Sequence, residues 1–482
     1  LNGRLWGFST TSDAQTRFYT LAVAADGTLS PPTLLYTSSG SGYGPWLDYD
    51  ATIAVIATTE PTGTSDHALM AFPLIAKGGE DAQKIRILQD EGADMVPVAF
   101  APLPGDTRLL ATTDAIGVVR PMIWDVATGD RVDLPFDDLD GDIGAWGWSP
   151  DGTRLLLFRV HHAHYQLYVF DLKRSTLTAL DHPAGAYFGG FFRTDDEIAV
   201  VWTHPAHPAH VITLDASSGK RNDTLIAPTG TADIPAWRSI TFPSGGGSTI
   251  QAWLATPDPA VFGEGPYPTV LHAHDGPFDV QLPTFNAEVA AWLAHGVAWL
   301  SVNYRGSTTF GPEHQGSIIG ILGHREIDDL VAARTYLIAQ GITAEDQVLL
   351  SGRGYGGFLT LQALGRQPEG WAGGIAIDPI VDWAAYHHEQ SMGGRAYIEM
   401  LFGGDPSAYA KLYAASSPQT YADAVEAPLL LISKGHDRIR AYVEQVQQNG
   451  IAVSQQTAGA DAAATMQIIL QWADDTLTST DR

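Results

Sequence analysis

A repeat of short β-type runs governs the first half of the chain. Thr107-Arg108-Leu109-Leu110 returns as Thr153-Arg154-Leu155-Leu156 after 46 residues, and Glu197-Ile198-Ala199-Val200 follows after another 44. Each run leads into a further strand that ends in an acid: Trp124-Asp125, Phe170-Asp171 and Leu214-Asp215, again 46 and 44 residues apart. A period in the forties with several strands per unit makes each repeat one small sheet. Such sheets bury their faces only against one another, so the expected fold is a β-propeller. Trp148-Ser149-Pro150-Asp151-Gly152 supplies the turn between a unit's first two strands, where Asp-Gly suits a tight hairpin. About five units fit before residue 235, with room for a partial one at the start.

Neighbouring repeats carry histidines in equivalent hairpins. One group is His161, His162 and His164; the other is His204, His207 and His210. Clustered imidazoles can ligate zinc or nickel, and the competing reading is two solvated hairpin tips. No nearby carboxylate or cysteine completes a standard ligand set, so no metal is assigned.

Charge narrows the partners. The 482 residues include 54 acids against 27 Lys and Arg, a formal net charge of -27, which argues against a phosphate-binding surface and hence against nucleic acid. No apolar run is long enough to cross a bilayer; the nearest, Val289 to Val302, is broken by His295 and Gly296. The expectation is a soluble protein with no membrane partner, the cytoplasm favoured over secretion. A homo-oligomer is left open. With no cysteine there is neither a disulfide framework nor a thiolate nucleophile. The chain starts at Leu1, so a processed or missing N-terminal segment stays open.

From Trp237 the period changes. Ser239 to Phe242 and Thr249 to Ala255 predict a hairpin around Gly245-Gly246-Gly247. Beyond it, predicted strands at Thr269 to His272, Ala298 to Asn303, Gln347 to Ser351, Gly374 to Ile377 and Pro428 to Ser433 alternate with helical segments. Those helices are predicted at Phe285 to His295, Ile327 to Gln340, Gly357 to Gly365 and Ala462 to Leu477. This alternation specifies a doubly wound, mostly parallel sheet. The division is therefore 1–235 propeller and 236–482 α/β domain.

Five motifs in this second region, in order, resemble those of the prolyl oligopeptidase family, which joins an N-terminal propeller to a C-terminal α/β-hydrolase domain. His274-Asp275-Gly276-Pro277 is similar to the family's His-Gly-Gly-Pro loop. Val302-Asn303-Tyr304-Arg305-Gly306-Ser307 and Glu326-Ile327-Asp328-Asp329-Leu330 follow in family order. Ser351-Gly352-Arg353-Gly354-Tyr355-Gly356-Gly357 stands at the nucleophile elbow, and Leu430-Leu431-Ile432 leads to Asp437 at the interval of the triad acid. The resemblance implies a seven- or eight-bladed propeller, more than 235 residues hold at this period. Either the N-terminus is incomplete or the propeller is reduced.

At the elbow the resemblance also exposes what is missing. The nucleophile position is Gly354, which has no side chain and cannot form an acyl-enzyme. The general-base loop reads Ala458-Gly459-Ala460-Asp461, so Ala460 stands nearest to the histidine position. Asp437 alone survives, and an acid that orients a histidine then has nothing to orient. Asp275 replaces a glycine of the loop that shapes the oxyanion site, and a carboxylate there repels a developing oxyanion. By resemblance, Tyr355 keeps the backbone N–H of an oxyanion hole. Arg353 can bind an anion or carbonyl or pair with Asp378 or Asp437. Ser351 is expected to pack under the turn. His436, His274 and Arg305 complete the candidate binding residues, and His387-His388-Glu389 is either a further polar cluster at the sheet's carboxyl edge or, the favoured reading, an ordinary helix surface.

Three readings follow. The first is a degenerate relative that binds a peptide-like or small-molecule ligand in a chamber between its domains without hydrolysing it. The second is a repurposed enzyme using the same pocket for cyclisation, elimination or isomerisation, steps that orientation and charge accelerate without a nucleophile. The third is a hydrolase with a substitute nucleophile. Gly352-x-Gly354-x-Gly356-Gly357 with Asp378 also matches a dinucleotide loop, but that fingerprint belongs on the first strand of its domain, whereas several strands precede this one. No cofactor is expected.

Overall fold

A computed structural model describes residues 5–12, 15–74, 85–136, 138–228, 230, 234–457, 459 and 461–478, with only the backbone of residue 436. The chain divides into two compact units, Leu1–Thr203 with Ala209–Pro228, and His204–Pro208 with Thr229–Arg482. The division after Pro228 precedes the expected residue 235, because the last strand of the repeat region, Arg221–Ile226, already ends there.

Among its described residues the first unit holds five antiparallel sheets, the first of three strands and the others of four. The recurring apolar runs are the second strands Arg108–Thr113, Arg154–His161 and Glu197–His204. The recurring acids end the third strands, and each accepts backbone N–H groups of the turn that follows. Asp125 takes those of Ala127 and Thr128, Asp171 those of Lys173 and Arg174, and Asp215 those of Ser217 and Ser218. The repeat is thus a turn device that sends the chain into each outer strand. Apolar residues of consecutive sheets share cores; Leu110 and Ile123 pack with Leu155 and Tyr168, for example.

The two histidine groups do lie at equivalent hairpins. His161 and His164 face each other across the end of one, and the rings of His161 and His162 stack at 3.9 Å. His210 is buried within its strand. Among the described residues no group of three or more His, Asp or Glu side chains is arranged to hold a metal ion, and no helix is long and apolar enough to cross a membrane.

The second unit is built on an eight-stranded sheet: β1 (Arg238–Pro243), β2 (Thr249–Ala255), β3 (Thr269–Ala273), β4 (Ala298–Asn303), β5 (Val348–Arg353), β6 (Gly373–Ile377), β7 (Leu429–Ser433) and β8 (Val453–Thr457). Their order is β1-β2-β4-β3-β5-β6-β7-β8. β2 runs antiparallel to β1 and β4, and the remaining pairs are parallel. The central strands are buried throughout, as continuous Val, Leu and Ile runs require when helices cover both faces. The longer helices are α1 (Ala287–Ala294), α2 (Arg325–Ala339), α3 (Tyr355–Arg366), α4 (Trp383–Glu389), α5 (Met392–Phe402), α6 (Ala410–Ala415), α7 (Arg440–Gln448) and α8 (Ala462–Thr478).

The turn from β5 into α3 is the tightest point of this unit. A Cβ on Gly356 would lie 2.1 Å from the carbonyl oxygen of Ala273, and one on Gly352 would lie 2.3 Å from the carbonyl of Gly356. Backbone, not a flexible side chain, blocks both positions. Gly356→Ala is therefore expected to lower the unfolding free energy measured in urea by about 3 kcal/mol or more. Gly393→Ala, at an exposed helical position with nothing within 4 Å, should instead gain about 0.5–1 kcal/mol. Equal effects in urea denaturation would contradict the packing described.

Candidate functional site

Gly354 sits at the tip of the β5–α3 turn with φ 55° and ψ -114°, a left-handed conformation that glycine adopts at little cost. Its N–H donates to Ile377 O at 2.9 Å, and its carbonyl accepts the first helical bond from Phe358 N–H at 3.0 Å. The strand-to-helix turn is that of a nucleophile elbow, with no side chain at its tip. The space where a side chain would begin is taken. A Cβ on Gly354 would lie 2.7 and 2.9 Å from the two carboxylate oxygens of Asp275.

Asp275, in the loop after β3, is held there by backbone donors. Its Oδ1 accepts the N–H of Tyr355 at 2.8 Å and the N–H of Gly276 at 3.0 Å. In a hydrolase elbow, the N–H of the residue after the nucleophile stabilises the oxyanion. Here that N–H is occupied by a resident carboxylate. Sequence reasoning expected the Tyr355 N–H to be open and Asp275 to lie merely nearby; the structure joins the two.

The loop beneath is rigid. The His274 ring stacks on Tyr304 at 4.2 Å, and its Nε2 and Ser307 Oγ are 2.9 Å apart. Tyr304 Oη donates to His274 O at 2.9 Å. Burial lowers the His274 pKa and keeps the ring neutral. Arg305 is equally committed. Its guanidinium meets the fully buried Asp329 at 2.8 Å through Nη2 and 3.0 Å through Nε, and donates further to Gly245 O and Arg325 O. His274 and Arg305 are therefore buried packing groups, and neither lines the cavity described below. A motif cannot reveal such burial.

A cavity of about 940 Å³ opens on the elbow, wholly within the second unit. Asp275, Gly354, Tyr355 and Asp437 line it together with Asp378, Lys434 and Arg438. Its apolar wall comes from α4 and α5, chiefly Trp383, Tyr386, Tyr397 and Ile398. A helix surface was expected around His387-His388-Glu389 and α4 is there, but α5 was not expected, because Gly393-Gly394 interrupts a pattern whose apolar signal is confined to Ile398, Leu401 and Phe402. The cluster around His387 resolves within α4. His387 is buried and its Nε2 lies 2.8 Å from Glu399, while Glu389 reaches the cavity wall and pairs with Arg438 at 2.9 Å.

The remaining candidates scatter. Asp437 follows β7 in a short 3-10 turn, almost wholly exposed, and pairs with Arg440 one turn on. Arg353 is exposed, with its nearest acid Asp378 at 3.7 Å. Ser351 is buried within β5 and is absent from the cavity lining. Ala460 and the side chain of His436 lie outside the described residues.

Sequence reasoning passed over Glu326 as an individual residue; it lies fully buried at the start of α2. Tyr355 Oη donates to its Oε1 at 2.6 Å, and the N–H groups of Gly323 and His324 donate to its two oxygens. Burial raises its pKa from 4.5 to about 7 despite these donors.

Comparison with known proteins agrees with the fold and motifs. Residues 283–450 match the model of the prolyl oligopeptidase family. Dipeptidyl aminopeptidase BIII of Pseudoxanthomonas mexicana is 27% identical over 84% of this chain and 60% of its own length. The human acylamino-acid-releasing enzyme is 26% identical over 60% of this chain and 42% of its own. The match thus spans less than two thirds of either relative. A puromycin-hydrolyzing peptidase of Mycobacterium tuberculosis superposes with a TM-score of 0.76 at 16% identity, over 98% of this chain and 78% of its own. The prolyl oligopeptidase family is thus the one supported by the family model and the sequence relatives, and the structural likeness supports a propeller-plus-hydrolase fold.

Because the folded state holds the Glu326 proton more tightly than the unfolded chain does, its contribution to stability is complete below pH 4.5 and is lost as pH rises through about 7. The buried histidines act in the opposite direction across this window, so the Glu326 contribution is read from urea midpoints of the parent and Glu326→Gln measured side by side. The stability of the parent relative to Glu326→Gln should fall as pH rises. A pH-independent difference would contradict the buried acid.

Proposed function

We propose that this chain is a prolyl oligopeptidase-like protein that binds a peptide-like or small-molecule ligand in the cavity above Gly354 and carries out no serine-type acyl transfer. The observation that carries this reading is the Asp275 carboxylate, seated over Gly354 and bonded to the Tyr355 N–H. Acyl transfer needs a nucleophile at the elbow tip and an open donor for the oxyanion. Here the first is a hydrogen atom and the second already serves an anion. A carbonyl approaching the elbow would meet negative charge where stabilisation of negative charge is required.

The cavity nevertheless has the form of a ligand site, lined by apolar and aromatic side chains together with a small set of charged groups. Its polar groups retain fixed positions, Asp275 through two backbone donors and Glu389 through Arg438. A second reading draws on the same carboxylate. A fixed base beside an apolar wall suits a non-hydrolytic step such as elimination or isomerisation, in which Asp275 would take a proton.

Incubation with a fluorophosphonate probe, followed by intact mass measurement, tests the first reading. The expected result is no stoichiometric adduct, together with no release of 4-nitroaniline from aminoacyl or acyl anilides above the rate without protein. A stoichiometric adduct on any serine would contradict it and point to the substitute-nucleophile reading.

A further inference from the structure

Five carboxylates line the cavity: Asp275, Asp378, Asp382, Glu389 and Asp437. Four have a local commitment. Asp378 accepts the backbone N–H of Lys434 at 3.0 Å and faces Arg353 at 3.7 Å. Asp382 caps α4 by accepting the N–H groups of Ala384 and Ala385. Glu389 pairs with Arg438, and Asp437 with Arg440. Asp275 differs. Its two backbone donors converge on Oδ1, and among the described residues neither a side-chain cation nor a donor meets Oδ2.

This leaves a carboxylate oriented through one oxygen, in an exposed residue whose other oxygen is open to solvent. The backbone bonds fix its rotation, so Oδ2 is presented without further ordering cost when a partner arrives. Its surroundings favour one class of partner. Tyr386 and Tyr397 border the same cavity and are not buried, while Tyr355 and Trp383 are packed edge to face in the core behind its wall. Aromatic faces and a fixed carboxylate together complement an organic cation. An anion is disfavoured at this end. The ammonium of Lys434, also on the lining and without a paired acid among the described residues, offers a separate contact for an acceptor elsewhere on the ligand.

We propose that Asp275 Oδ2 is the recognition point for a primary ammonium group, and that ligands of this cavity are amines carrying an apolar or aromatic body. The proposal rests on the reading of the cavity as a binding site and adds the ligand's charge. It also gives the Asp275–Gly354 pair a positive role: loss of the elbow side chain opens the space in which the carboxylate stands. The ammonium then sits where a hydrolase would place a carbonyl, with the sign of charge reversed.

Calorimetric titration with phenethylamine and with the neutral 2-phenylethanol, against the parent protein and Asp275→Asn, tests this. Asparagine keeps an oxygen for the Tyr355 and Gly276 N–H groups, so the loop should hold its shape, which the thermal midpoint checks. The expected result is tighter binding of the amine than of the alcohol by the parent. Asp275→Asn should weaken the amine about tenfold or more while leaving the alcohol unchanged, as loss of a charge-assisted bond implies. Equal binding of both probes, or an amine affinity indifferent to Asp275→Asn, would overturn the ammonium assignment while leaving the cavity as a binding site. Binding of neither probe would overturn both.

Discussion

The hydrogen bond from the Tyr355 N–H to Asp275 Oδ1, 2.8 Å long, is the interaction on which the functional reading depends. It converts a donor that could stabilise a transient oxyanion into one that stabilises a permanent anion. It is compatible only with glycine at position 354, since any Cβ there would lie within 3.0 Å of the carboxylate. The bare elbow tip and the Asp275 carboxylate therefore share one space. Coulombic repulsion and simple exclusion act in the same direction against acyl transfer.

What surrounds this pair keeps the architecture of a working elbow. The His274–Tyr304–Ser307 contacts fix the loop carrying Asp275, Arg305 and Asp329 tie the loop after β4 to α2, and Glu326 holds Tyr355 from below. None of these groups needs a side chain at position 354 for its own packing. A scaffold whose polar supports are buried and mutually satisfied holds its shape whatever group stands at the elbow tip, because its stability resides in those supports. The cavity is preserved with them.

Much of this fold is legible in the sequence. The apolar alternation gives the central strands to within two residues, and the repeated acids mark the turns of the first unit, since both are local signals. β8 is not legible, because Val453-Ser454-Gln455-Gln456-Thr457 is a polar edge strand specified by pairing with β7 and not by its own pattern. The site is read less well. Gly354 and Asp275 each stand out as departures at their motif positions, yet nothing local says that residues 79 apart in sequence occupy one space. His274 and Arg305 mislead for the opposite reason: residues typical of sites prove to be satisfied packing groups once their burial is known.

A double-mutant cycle of Gly354→Ser and Asp275→Gly, followed by urea denaturation, addresses the shared space directly. Backbone strain from serine at positive φ is common to both backgrounds and cancels. If the Asp275 carboxylate occupies the position of the elbow side chain, Gly354→Ser should cost about 1–3 kcal/mol more in the parent than in the Asp275→Gly background. Additivity to within about 0.5 kcal/mol would show that the two positions do not meet, and would contradict the account.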